Sequence, residues 1–193
     1  MLITKTNPVG IDALIQQLQT KLHTELCTAW ALTDCENDQQ NKYYCYGRAY
    51  RNATANGFIA EVYTSNGEYK EVYWDDKLYA VSFFGIAAQT DRTIGSKTDV
   101  HLVYFVNTKK LKPDVTHRAD EEVRLDVLNI IGKSSFGFVV DSVELWLQNV
   151  LQEYPGSIRD ERLKYVDMYP VHCFRLNMTI NYNPNYCSSL KFK

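Results

Sequence analysis

Several patterns that announce a function are missing from this sequence. It has neither G-x-G-x-x-G nor G-x-x-x-x-G-K-[ST], the glycine patterns that let backbone amides close around phosphates. The G-x-S-x-G nucleophile elbow is missing too. The common nucleotide-binding enzymes are thereby excluded. The five cysteines, Cys27, Cys35, Cys45, Cys173 and Cys187, form no C-x-x-C pair, and the four histidines, His23, His101, His117 and His172, are scattered. A zinc site wants ligands in tight pairs, so none is expected, and the thiols read as reduced and structural. There is no basic excess: the formal net charge is −2. Phosphate-backbone binding rests on clustered Lys and Arg, which argues against a dedicated DNA-binding protein. The longest nearly apolar run, 78–88, is about half of the ~20 residues that a membrane helix needs. The first residues carry no apolar signal core.

What is present is the material of a packed core. Hydrophobic residues make up 45% of the 193, enough for a globular chain of one domain, 1–193. The 14 tyrosines suit half-buried sheet faces and interfaces, because one end of the ring is apolar and the other polar.

Ile11, Leu14, Ile15, Leu18, Leu22 and Leu26 recur at helical spacing, with Gln16, Gln17, Gln19 and Lys21 on the other face, and predict an amphipathic helix over 10–30. A polar loop follows at 33–42, then a short strand around Tyr43–Tyr50. Asn66-Gly67 between 58–64 and 69–74 predicts a two-residue hairpin, since both central positions need positive φ. With 78–84 it would make a three-stranded meander. Residues 85–99 read as a long loop, 100–106 as a central strand covered on both sides, and 107–117 as a polar connection. Ala119, Val123, Val127, Ile130 and Ile131 predict a helix ending at Gly132. Asp141 and Glu144 fit a capping box, which predicts another helix over 141–154. Residues 172–182 alternate apolar and polar, as a strand with one buried face does, and 182–193 reads as an extended tail. The expectation is an α+β fold: an antiparallel sheet of about five strands, an N-terminal helix and two later helices packed on it.

Three groups invite a chemical reading. Glu68-Tyr69-Lys70 spells the E-x-K triplet of metal-dependent nucleases, in which acids hold Mg²⁺ and the lysine positions the attacking water. Glu68 falls at the hairpin turn, however, and the upstream acid is missing. His172 and Cys173 are neighbours on a strand, and therefore point to opposite faces. Asp75-Asp76 sits in a turn, and the acids at 120–122 suit the first turn of a helix. No catalytic group, cofactor or metal is expected.

The order of elements resembles the neck and tail-terminator proteins of tailed bacteriophages. Residues 11–19 look like their opening helix and 174–182 like their final strand. The resemblance implies a structural virion protein and not an enzyme. It implies a homo-oligomeric ring in the virion neck or tail, assembled in the host cytoplasm, that joins the portal end of the head to the tail. Portal, neck and tail proteins would be its partners. DNA would pass through the channel without sequence-specific binding, and no membrane would be involved. Residues 85–99 and 183–193 would reach neighbours. The alternatives are a small metal-dependent nuclease using Glu68 and Lys70, or a monomeric adaptor or binding module.

Overall fold

The structure is a computed structural model that describes residues 1–32, 42–72, 74–92, 95–159 and 168–183. Strand β1 (Leu2–Ile3) leads into helix α1 (Ile11–Ala29). Ile11, Ile15, Leu18, Leu22 and Leu26 are all buried, as their spacing predicts. Each such side chain contributes about 1.5–3 kcal/mol. Gln19 departs from the expected solvent face: its amide donates to the carbonyls of Ile3 and Cys45, both at 2.7 Å. It thus ties the helix to β1 and to the next strand.

That strand, β2 (Tyr43–Thr54), is longer than the expected Tyr43–Tyr50. It continues into β3 (Gly57–Ser65) and β4 (Glu68–Glu71), joined through Asn66 at φ 51° and Gly67 at φ 78°, the positive pair that the Asn-Gly signal requires. Then come β5 (Ala80–Arg92), β6 (Gly95–Asn107), short helix α2 (Thr108–Leu111), α3 (Asp120–Gly132), β7 (Phe138–Leu145), one-turn helix α4 (Leu147–Val150), a 3-10 turn (Ser157–Arg159) and β8 (Val171–Tyr182).

The fold is broadly α+β, with eight strands in one open sheet among the described residues rather than about five. The order is β4-β3-β2-β5-β6-β8-β7, with β1 also paired to β2. It is mixed rather than antiparallel: β1–β2 and β2–β5 are parallel. The expected meander is corrected here. The third strand of that run is β2, and β5 crosses back to pair on the other side of β2.

Two further expectations are overturned. Residues 85–92 and 95–99 are not a loop but belong to strands β5 and β6, which pair as far as Arg92 and Gly95. Residues 141–154 are not one helix: β7 runs to Leu145, and only Leu147–Val150 form a helical turn. Val139, Val140 and Val143 are β-branched and pair into β8 through β7, and Asp141, the supposed cap, stands at a bulge in that strand. Val150, Leu151 and Tyr154 still bury, but from α4 and the turns after it.

The sheet has a core on each face. The first lies under α1 and α3. On the second, residues 147–158 cover Val81, Phe83, Val103, Phe105 and Cys173. That cover explains two outcomes. The β6 run from Val100 to Asn107 is buried throughout, as a central strand should be. In β8 the alternation is real, but Cys173 and Arg175 on the supposedly polar face are also buried. No helix among the described residues is long and apolar enough to cross a membrane.

Candidate functional site

Opposite residues in antiparallel strands share a face. The register sets His101 against Asn177, Asp99 against Thr179, and Ser142 against Asn177. The second face is thus apolar at Phe105, Val103 and Cys173 and polar two to four residues further along the same strands. Its covering segment reaches the boundary with Glu153 and Tyr154. Beyond that boundary lies an open cleft of about 410 Å³, lined by Asp99, Asp141, Glu153, Arg175, Asn177 and Thr179 among others. Both bulged positions at this end, Ala87 in β5 and Asp141 in β7, lie on the cleft wall. Bulges re-aim side chains, and are common beside functional sites.

Arg175 is the anchor of the cleft and is 2% exposed. Its Nη2 donates to Glu153 Oε1 at 2.8 Å, its Nη1 to Glu153 Oε2, and its Nε to Asn177 Oδ1 at 2.6 Å. Asn177 passes the chain on to Ser142 Oγ at 3.0 Å. With its amide turned to satisfy its neighbours, Gln152 accepts from both Arg175 terminal nitrogens at 3.2 Å. The guanidinium is therefore committed within the protein and is not held open for an anion. Burial pushes the Glu153 carboxyl up, but the Arg175 hydrogen bonds, with the charges of His101 and Arg175, pull it further down, to a net value below the ordinary one.

Thr179 Oγ1 lies 2.7 Å from Asp141 Oδ2 and 3.4 Å from Asp99 Oδ1. One hydroxyl proton serves only one of the two carboxylates, so oxygen lone pairs face the cleft and suit donors, not phosphate. Beneath, His101 is fully buried, with Nε2 3.3 Å from the Tyr154 hydroxyl and no hydrogen-bond partner for Nδ1. Burial first, then the Arg175 charge, lowers its pKa to about 3. So weak a base is a poor proton acceptor near neutral pH.

The residues that the sequence singles out are elsewhere. Glu68 and Lys70 pair with each other at 2.8 Å on exposed β4, and that contact holds the Glu68 carboxyl below its usual value. Asp75 accepts from the Lys77 amide and Asp76 from the Trp74 indole, so each serves its own turn. His172 stacks on Phe174, whereas Cys173 belongs to the core on the opposite face. The acids 120–122 occupy the first turn of α3, where Asp120 meets Arg118 at 2.7 Å and Glu122 meets His117 at 2.8 Å. Cys45 and Cys173 are free and buried. Cys27 is disulfide-bonded, which corrects the expectation of reduced thiols throughout. Cys35 and Cys187 lie outside the described residues, as does the tail from 184 on. Among the described residues, no three His, Cys, Asp or Glu side chains converge as a metal site would need.

Sequence reasoning did not find the cleft. Its two bulges have no sequence mark, and Arg175 reads as a solvent-facing residue of an alternating strand. No protein-family model matches the chain, and no curated protein matches it.

Proposed function

We propose that this chain is a ring-forming structural subunit of a tailed phage, of the neck or tail-terminator kind, placed between the portal end of the head and the tail. One observation supports the reading most: the two edges of the sheet are unlike. Edge strand β4 is four residues long, and Glu68, Lys70 and Glu71 make it charged and exposed, the usual way of blunting an edge. Edge strand β7 has eight residues, exposes Val139 at 60%, and runs into Trp146 at 70% exposure. Exposed apolar groups on a strand that, among the described residues, pairs on one side alone suit an interface, and two unlike edges suit head-to-tail contacts, which close into a ring when the rotation closes. The phage assignment itself rests on the resemblance in element order.

The test is the state of the protein in solution and with its neighbours. Sedimentation and negative-stain microscopy of the purified chain, alone and with the portal and tail proteins encoded beside it, should show rings. A monomer under all of these conditions would sink the reading. Mg²⁺-dependent DNA cleavage that disappears in Glu68→Ala would replace it with the nuclease.

A further inference from the structure

We propose that Asn66 is a site of self-modification: its side chain closes on the Gly67 amide, loses ammonia, and leaves an isoaspartate that releases strand β4. This goes beyond the ring reading and does not depend on it.

Asn-Gly occurs twice in the sequence, at 56–57 and 66–67. In both, the residue after the asparagine has no Cβ, so its nitrogen can approach the asparagine side chain closely. At the second site the Gly67 nitrogen gives up its proton to solvent and attacks Asn66 Cγ. The carboxamide nitrogen leaves as ammonia, and a cyclic imide remains. Water then adds to one of the two imide carbonyls. Opening at the Cγ carbonyl gives aspartate. Opening at the main-chain carbonyl gives isoaspartate, whose main chain runs through Cγ and is one carbon longer. Nothing is oxidised or reduced, and water is the co-reactant.

Closure needs the Asn-Gly peptide to rotate out of its turn, so the two sites differ by how readily each turn opens. At 66–67 little resists. Ser65, Asn66 and Gly67 have φ of 109°, 51° and 78°, and Ser65 holds its value at a cost that opening relieves. All three are exposed, and a Cβ at Gly67 would meet nothing within 4 Å. The register shifts between Tyr63 and Ser65, directly beside the turn. Strand β4 beyond it is four residues long and exposed throughout. At 56–57 the turn is held. The Thr54 hydroxyl accepts from the Asn56 amide at 3.3 Å and donates to the Gly57 carbonyl at 2.6 Å. A Cβ at Gly57 would lie 3.4 Å from the Gly156 nitrogen and from Pro155 Cγ, and the Gly156 amide donates to the Phe58 carbonyl at 2.8 Å. The flanking strands have twelve and nine residues.

The extra carbon falls between Ser65 and Glu68, which pair across the turn. Tyr69 then loses its place opposite Tyr63 and its edge-on contact with the Tyr50 ring. Strand β4 frays, and the nine-residue β3 becomes the edge of the sheet.

Peptide mass spectrometry of the folded parent chain, aged at mildly alkaline pH, tests the first half. Asn66 should convert faster than Asn56 by roughly tenfold or more, and urea should abolish the difference by opening both turns. Enzymatic methylation of the new carboxylate identifies isoaspartate. Hydrogen exchange of the Tyr69, Lys70 and Glu71 amides tests the second half. It should accelerate in the aged parent and stay at the fresh parent's rate in Asn66→Asp, which carries the same new charge on an unaltered main chain. An Asn66 that converts no faster than Asn56 in the folded chain would overturn the assignment. Isoaspartate at this position with exchange unchanged, or exchange raised equally in Asn66→Asp, would overturn the release of β4. The ring reading stands or falls separately, by sedimentation of fresh protein.

Discussion

Gly85 lies beneath the His101 imidazole so closely that a Cβ at Gly85 would sit 2.0 Å from Nε2, 2.4 Å from Cε1 and 2.5 Å from the Tyr154 hydroxyl. His101 is opposite Gly85 in the β5–β6 ladder and also meets the Tyr154 ring edge-on at 5.8 Å. Neither ring has room to retreat, because both are buried. Gly85→Ala should therefore lower stability by about 1–3 kcal/mol, the usual cost of overpacking. In urea denaturation it should lower the midpoint with an unchanged slope. An unaltered midpoint would mean that the two rings are not locked over the strand.

The Arg175–Glu153 pair makes a separate, pH-linked prediction. A carboxylate whose folded pKa is depressed contributes stability that is present above its unfolded value and is lost as the pH falls through the folded one. Glu153 has such a depressed value, against an ordinary 4.5. Glu153→Gln should be destabilised by about 3–5 kcal/mol at pH 7, since a buried guanidinium loses its counter-charge. The loss should shrink as the pH falls below the ordinary carboxylate value and through the lower folded one. Denaturant midpoints of parent and variant measured from pH 3 to 7 should converge at the acid end; parallel curves would count against the pair.

Much of this architecture was legible in the residues, and the failures share a cause. Helix α1 and the Asn66-Gly67 hairpin rest on local rules, apolar spacing and positive φ, and both stand. The outer β5–β6 arm was hidden because Gly95, Ser96, Lys97, Thr98 and Asp99 have turn-like composition; the pairing of Ser96 to Asp99 with β8 is a long-range fact that composition does not carry. Residues 141–154 misled because Asp141 and Glu144 satisfy a local helix signal that pairing to β8 overrides. The candidate cleft was illegible for a third reason. Ala87 and Asp141 face it through bulges, which shift register by one residue and so break the period-two argument at the place where it was needed.

Two of the three buried histidines, His23 and His101, make stability fall between pH 7 and 5. His23 is stacked 5.4 Å from the Tyr43 ring, and burial, with the N-terminal charge, lowers its pKa to about 4; His101 falls to about 3. The unfolded chain protonates both near 6.5, so over this window it binds more protons than the folded one, and stability falls as the pH falls. Each histidine contributes up to about 1.4 kcal/mol per pH unit. Replacing His23 by Gln should make the decline shallower by roughly one histidine's share, as read from denaturation free energies at pH 7, 6 and 5. A slope unchanged in His23→Gln would mean that His23 is solvated enough to titrate normally.

Trp146 separates stability from assembly. It follows the last residue of β7 at φ 70°, a conformation that a non-glycine residue adopts at a cost of order 1–3 kcal/mol, and its ring is 70% exposed. Folding alone does not explain such a choice. Glycine would turn the chain from β7 into α4 without the strain, and the ring returns little burial within its own copy. Trp146→Gly should therefore leave the monomer as stable as the parent or slightly more so, after the entropy that glycine adds to the unfolded chain. If the tryptophan is retained as a contact, the same variant should assemble at least tenfold less well, because buried aromatic anchors carry a large share of interface energy. Thermal unfolding at low concentration and sedimentation at high concentration read the two quantities independently. A variant that unfolds earlier yet assembles normally would assign Trp146 to the fold of its own copy.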